Sequence, residues 1–350
     1  MKAQVLEAVN KLEYKEVAMP ECKNGWVIVK VMAAGVCGSD IPRIFLNGTY
    51  HFPTIPGHEF SGIVYQVSDN ATDKEKELVG KPVGIFPLIP CKECDNCKEK
   101  HYEMCDNYNY LGSRCDGGFA EYVAVPIWNL IELPVGIEYR EAAMLEPISV
   151  ALHGVRQAGV KEKDTVVIYG AGTIGIFMAQ WCRAYGAKTL MLGTREEQRK
   201  LVHKLGFNKD DFKITDEHDV EWVCERSNGK GANISIECVG NNQTAVNSIM
   251  SVRAGGTVLL TGNPKGDIYF NKDVYWRILR KQLHIVGTWN SGYENSQKCD
   301  WQEAVNALKV GTIKAKEMIT HEITLSDLSD KLLIMKNKTE YTNKVMVVFE

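Results

Sequence analysis

Short apolar runs broken by glycine and proline dominate the first third of the chain. Trp26-Val27-Ile28-Val29-Lys30-Val31, Phe60 to Val67, Gly80 to Phe86 and Gly117 to Val125 each read as a strand bounded by turn residues. Asp73 to Glu77 reads as a charged loop. The texture changes near Glu138, where Arg140 to Leu145 and Ile148 to Gln157 look helical. From Thr165 onward strands alternate with helices, the pattern of a parallel sheet with crossover helices. The expected strands are Thr165–Tyr169, Thr189–Leu192, Ile234–Cys238, Thr257–Thr261 and His284–Thr288, with helices beginning at Ile174, Arg195, Thr244 and Asp300. Lys344 to Phe349 returns to β character and is expected to rejoin the first segment. The fold class is therefore α/β: a doubly wound parallel sheet beside a mostly β domain. Residues 1–147 and 290–350 are expected to form one domain and 148–289 the other.

Size agrees with two domains, because 350 residues exceed what a single core usually supports. A net charge of −3 gives no general pull toward nucleic acid or an anionic membrane, so neither is expected as a partner. Thr165 to Cys182 carries no charge and is long enough to suggest a membrane helix. Its β-branched start and its three patterned glycines argue for a strand, a turn and a helix instead. The chain holds 11 cysteines, and Met1 to Glu7 has no apolar signal-peptide core. A reducing, cytoplasmic setting is expected, with clustered cysteines holding metal rather than forming disulfides.

Gly170-Ala171-Gly172-Thr173-Ile174-Gly175 fits G-x-G-x-x-G, follows the strand Val166 to Tyr169 and opens an apolar helix. In that context it is the Rossmann dinucleotide fingerprint. Gly170 makes the turn, Gly172 admits a pyrophosphate, and Gly175 lets the helix sit close to the sheet. About 20 residues on, an NAD site places an acid for the ribose hydroxyls. Here the second strand ends in Gly193-Thr194-Arg195. Arg195 can pair with a 2′-phosphate through its planar fork, with Gly193 leaving room and Arg199 one turn later adding charge. NADP is therefore favoured over NAD. The competing reading is local: Thr194 with Glu197 would form a capping box, leaving Arg195 solvated.

Two further sets point to zinc. Cys91-x2-Cys94-x2-Cys97-x7-Cys105 supplies four thiolates at short spacing, a closed shell suited to a structural ion. Cys37-Gly38-Ser39-Asp40 and Gly57-His58-Glu59 supply ligand types for a second ion. Cys115 lies outside the spacing and is expected to be free.

With these motifs the chain resembles the zinc-containing medium-chain dehydrogenases, and most of all their polyol and polyol-phosphate branch. Gly118-Phe119-Ala120-Glu121-Tyr122 and Glu146-Pro147 complete the family markers. Ile41 to Gly48, Pro87 to Cys91, Leu111 to Arg114, Asp116 to Phe119 and Ile278 to Lys281 carry the likeness to the branch. The resemblance implies a GroES-like catalytic domain beside the Rossmann domain, two zinc ions per chain, and a homodimer or homotetramer. It implies Cys37, His58 and Glu146 as ligands of the catalytic zinc, with Glu59 as a further ligand or the holder of a zinc-bound water. It implies that Asp40 orients His58 and that Ser39 accepts the substrate hydroxyl proton. Gly240, Thr261, Gly262 and Thr288 would line the cofactor, together with Thr173 and Ile174. The implied reaction is hydride transfer between a secondary alcohol and NAD(P), in the cleft between the domains.

The chain departs from the family at two places. Pro42 stands where better-known alcohol dehydrogenases carry the histidine that ends their proton relay, and Gly193-Thr194 stands where the polyol branch often has an acid. For the substrate, Arg43 is a candidate phosphate partner and Tyr50 a candidate wall of the site. An unphosphorylated polyol or a short-chain secondary alcohol is the alternative substrate. A zinc-free, quinone-reductase-like binding protein is the alternative of another class, and both cysteine sets argue against it.

Overall fold

The computed structural model describes residues 1–293 and 299–350. The strands before the nucleotide segment are β1 (Lys2–Ala8), β2 (Lys11–Glu16), β3 (Trp26–Val36), β4 (Glu59–Val67), β5 (Pro82–Ile85), β6 (Leu88–Ile89), β7 (Asn109–Tyr110), β8 (Tyr122–Pro126) and β9 (Leu130–Glu132). The nucleotide segment contributes β10 (Thr165–Tyr169), β11 (Lys188–Gly193), β12 (Phe212–Ile214), β13 (Ala232–Glu237), β14 (Val252–Leu260) and β15 (His284–Gly287). After it come β16 (Ile319–Ile323) and β17 (Lys344–Val348).

One sheet runs β16-β17-β3-β4-β5-β9, with β8 also on β3. The eleven-residue β3 is its axis. β4 pairs with it along most of its length, while β8 takes its first half and β17 its last four residues. All of these pairings are antiparallel. Val27, Val29 and Val31 point to one face at the strand period of two and are fully buried with Phe60, Val64, Val345 and Val347. Each such side chain contributes about 1.5–3 kcal/mol on leaving water, which fixes the register of the sheet.

The other sheet is parallel, in the order β12-β11-β10-β13-β14-β15. β10 opens the motif and occupies the centre, flanked by β11 and β13. Two helices of this segment recur below: α1 (Thr173–Ala184), directly after the glycine turn, and α2 (Glu196–Lys204), after β11. Packing divides the chain into two units, 1–146 with 292–311 and 318–350, and 147–291 with 312–317. Residues 312–317 thus cluster with the nucleotide segment, apart from the flanking sequence expected to join the first domain. No helix among the described residues is long and apolar enough to cross a membrane.

Some local expectations change. Asp73–Lys76 is a short helix rather than a loop, because Thr72 and Glu75 satisfy each other's backbone N–H groups in a capping box. The helix after β11 starts at Glu196, not at Arg195. No Thr194–Glu197 box forms; the Gln198 side chain caps the turn instead. β12, β16 and the helices Asp219–Arg226, Lys272–Lys281 and Leu328–Asn337 were not anticipated.

Candidate functional site

Cys37 follows the end of β3, His58 directly precedes β4 and Glu59 opens it, and β4 pairs with β3 as far as Gly35 opposite Glu59. The hairpin-like register therefore brings ligands 21 residues apart in sequence together. One ligand atom from each of Cys37, His58 and Glu59 lies within 4.8 Å of the others, His58 and Glu59 being buried. A thiolate, an imidazole and a carboxylate at that separation suit one zinc ion. Glu146, expected as a ligand, is not in this cluster; its Oε1 accepts the Tyr110 hydroxyl at 3.2 Å. Burial, reinforced by the Glu59 charge, pushes the Glu146 pKa up to about 7.

Asp40 is fully buried and ties the cluster together. It accepts the Cys37 N–H at 3.0 Å and stands 3.5 Å from His58 Nδ1, within ion-pair range but long for a hydrogen bond. Burial works against both charges, yet each supports the other: the His58 pKa lies well above and the Asp40 pKa below its ordinary value. The Ser39 hydroxyl donates to Cys37 Sγ at 3.3 Å. Arg43, a candidate for substrate phosphate, spends one guanidinium nitrogen on Asp40.

Sequence reasoning missed Lys344. Its ammonium is 2% exposed, bonds the Glu59 carboxylate and donates to the Val36 carbonyl at 3.3 Å. Burial opposes its charge, but Glu59 and Cys37 outweigh it and hold its pKa above the usual lysine value. Gly35 makes space for the carboxylate, since a Cβ there would stand 2.4 Å from Glu59 Oε2.

Tyr50 is largely exposed and belongs to another arrangement. The Arg114 guanidinium lies between the rings of Tyr50 and Tyr108, 4.2 and 4.1 Å from their centroids. It donates to the Tyr50 hydroxyl and the Tyr108 carbonyl. Tyr108 in turn packs edge-on against Tyr110.

Cys91, Cys94, Cys97 and Cys105 also converge, all four sulfurs lying within 4.8 Å of one another. Cys91–Cys97 and Cys94–Cys105 are each 3.9 Å apart. Sulfurs about 2.3 Å from one tetrahedral zinc stand about 3.8 Å from each other, so the set fits the ion as folded. Backbone N–H groups of Glu93 and Cys94 draw the Cys91 thiol down to about 6, whereas burial raises the thiols of Cys97 and Cys105. Cys115 is free, and burial raises its pKa to about 12.

In the nucleotide unit Gly170 has φ +110°, and a Cβ at Gly175 would lie 1.9 Å from the Gly170 carbonyl oxygen. Only glycine fits either place. A Cβ at Gly172 would meet nothing within 4 Å, so the backbone there faces open space at the start of α1, as a pyrophosphate requires. Thr173 and Ile174 form the first turn of that helix. The Thr261 and Thr288 hydroxyls are buried and have no hydrogen-bond partner among the described residues. Gly240 and Gly262 are shaped by a second residue the sequence did not disclose. Glu237, buried at the tip of β13, accepts N–H bonds from Val239 and Gly240 and the Thr244 hydroxyl. Its carbonyl accepts from Thr261 and Gly262. Arg199 pairs with Glu196 at 3.0 Å. Gly193 does not leave the vacant space expected of it, because the Gln198 amide, the Phe212 ring and Ala171 already surround it.

Comparison with known proteins agrees with this geometry. Residues 23–135 match the alcohol dehydrogenase GroES-like domain and residues 173–309 the zinc-binding dehydrogenase domain. Over 327 residues the chain is 31% identical to galactitol 1-phosphate 5-dehydrogenase of Escherichia coli K12, covering 92% of each. The chain belongs to the zinc-containing medium-chain dehydrogenases. The crystal structure of the E. coli galactitol-1-phosphate dehydrogenase superposes over all of both chains with TM-score 0.89 at 28% identity. Among other relatives of this dehydrogenase, sorbitol dehydrogenase of Halalkalibacterium halodurans is 32% identical over 305 residues, 86% of this chain and 85% of the other. A Sinorhizobium meliloti 1021 zinc-binding dehydrogenase, solved bound to NADP, superposes over 99% of both chains with TM-score 0.89 at 28% identity. The protein is thus an oxidoreductase of the alcohol and polyol dehydrogenase kind.

Proposed function

We propose that this dehydrogenase uses NADP to oxidise a secondary hydroxyl of a hexitol phosphate, interconverting galactitol 1-phosphate or a close analogue and a ketose phosphate such as tagatose 6-phosphate. The substrate reading rests on the similarity to galactitol 1-phosphate 5-dehydrogenase over 92% of the chain. The cofactor reading rests on one observation: β11 ends in Gly193-Thr194-Arg195 with no acid to repel a 2′-phosphate.

Two zinc ions are assigned, one to Cys37, His58 and Glu59 with Glu146 beside them as a further ligand, the other to Cys91, Cys94, Cys97 and Cys105. When bound, the first would supply Lewis-acid polarisation of the substrate oxygen, and a nicotinamide cofactor would supply the hydride chemistry. The protein's part is to orient and to move protons. Asp40 holds the His58 ring with Nδ1 toward itself, leaving Nε2 for ligation. Ser39 takes the substrate proton from its position beside Cys37. Pro42 follows soon after and offers no proton acceptor. Lys344 neutralises Glu59 and keeps its carboxylate in place. Thr261 and Thr288 offer unpartnered hydroxyls to the cofactor.

A homodimer or homotetramer is part of this reading. β15 closes one edge of the parallel sheet, and Ile285 on it is 41% exposed, an edge that a second copy would cover. Light scattering reads the subunit number.

The functional test is kcat/KM for NADP and NAD with galactitol 1-phosphate and with sorbitol. The phosphorylated substrate and NADP are expected to win. Arg195→Ala should cost about 10- to 150-fold with NADP, the range for a charge-assisted pair, and little with NAD. A preference for NAD, or an unchanged cofactor ratio in Arg195→Ala, would refute the cofactor reading. Equal rates on sorbitol would refute the phosphate.

A further inference from the structure

Gln198 lies in the first turn of α2. Its side-chain oxygen accepts the N–H groups of Thr194 at 2.8 Å and Arg195 at 3.1 Å. Its amide nitrogen donates to the Ala171 carbonyl at 3.0 Å. Ala171 belongs to the glycine turn; Thr194 and Arg195 form the tip of the second strand. One side chain therefore ties together the segment that faces the pyrophosphate and the segment that faces the ribose.

The same amide fills the space that a side chain at 193 would need. A Cβ added to Gly193 would stand 2.7 Å from Gln198 Oε1, 2.7 Å from Phe212 Cζ and 3.1 Å from Ala171 Cβ. Ala171 Cβ cannot rotate away, whereas the Gln198 amide and the Phe212 ring tip are side-chain ends that would have to swing aside. Moving Gln198 would break three hydrogen bonds at once, and with Gln198 truncated the Phe212 ring gains the space to turn.

We propose that Gln198 is a positioning residue that sets cofactor selectivity. It holds Thr194 and Arg195 in the conformation presented to a 2′-phosphate, and it bars the acid at 193 that a ribose diol would require. The inference rests on the NADP reading above, and it concerns residues that hold the cofactor-binding turns rather than touch the cofactor. Gly193 and Gln198 thus act as a pair: neither converts to an NAD-type tip while the other stays.

Direct binding tests this without turnover. Kd values for NADPH and NADH are read from nicotinamide fluorescence on the purified holoenzyme, for wild type and four variants. Gln198→Met keeps the volume but not the hydrogen bonds; Gln198→Ala removes both. Each is expected to weaken NADPH roughly 10-fold, as lost hydrogen bonds to one turn imply, with NADH changed much less. Gly193→Asp alone should weaken both nucleotides, because the aspartate has no space. Gly193→Asp with Gln198→Ala should bind NADH more tightly than NADPH. The selectivity role is overturned if Gln198→Met and Gln198→Ala leave both Kd values unchanged or weaken them equally. It is overturned as well if Gly193→Asp alone reverses the preference. A wild type that binds NADH more tightly refutes the NADP reading and the selectivity role with it. A wild type that prefers NADPH, with indifferent Gln198 variants, refutes only the role of Gln198.

Discussion

Cys37→Ser and His58→Ala are each expected to lower turnover by roughly a thousandfold or more, since several kcal/mol of polarisation leave with the metal. Each variant should retain one zinc per chain and a wild-type circular dichroism spectrum. The reason is the separation of the two ligand sets. The four cysteines close their own shell on the loop from 91 to 105 and share no residue with Cys37, His58 and Glu59. Metal analysis by mass spectrometry, paired with initial rates, decides the matter. Full turnover in a variant that has lost one zinc would remove these residues from the reacting site.

Lys344→Met is expected to destabilise the metal-free protein by about 3–5 kcal/mol, the usual consequence of leaving a buried charge without its partner. Glu59 is 1% exposed and the ammonium it would lose is equally enclosed, so water cannot replace the contact. Methionine matches the lysine stem in length, which confines the change to charge. The double variant Glu59→Gln with Lys344→Met should recover most of the loss. Zinc should recover part of it in the single variant, because the ion supplies the positive charge that Glu59 then lacks. Denaturant midpoints with and without chelator measure all three. If Lys344→Met unfolds at the wild-type midpoint without metal, Glu59 is not held as an ion by this pair.

These two experiments probe residues of very different legibility. Cys37, His58 and the four-cysteine loop were readable because metal ligands must be particular residue types, and the loop's four lie close in sequence. The glycine turn was readable because the backbone at Gly170 and Gly175 tolerates no side chain. Glu237, Gln198 and Lys344 were not, since their work depends on partners brought near by the sheets. Lys344 did leave a trace: a charge opening the apolar run Val345-Met346-Val347, every member of which is buried. A lysine is almost never fully buried without a partner. Gly193 misled for a related reason. Glycine in sequence looks like vacancy, whereas here it marks the place where another residue's side chain arrives.

The Lys344–Glu59 contact spans 285 positions of sequence. During synthesis, β3 and β4 leave the ribosome long before β17 does, and between them the whole of β10 to β15 must emerge. That middle segment is continuous apart from residues 312–317, so it can fold while translation proceeds. The zinc-binding sheet cannot do the same. Until β17 arrives, one side of β3 lacks its partner at Ala33–Val36, and Glu59 has no cation to balance it. A nascent chain stalled before residue 344 would therefore carry a formed nucleotide fold together with an unfinished β3 sheet.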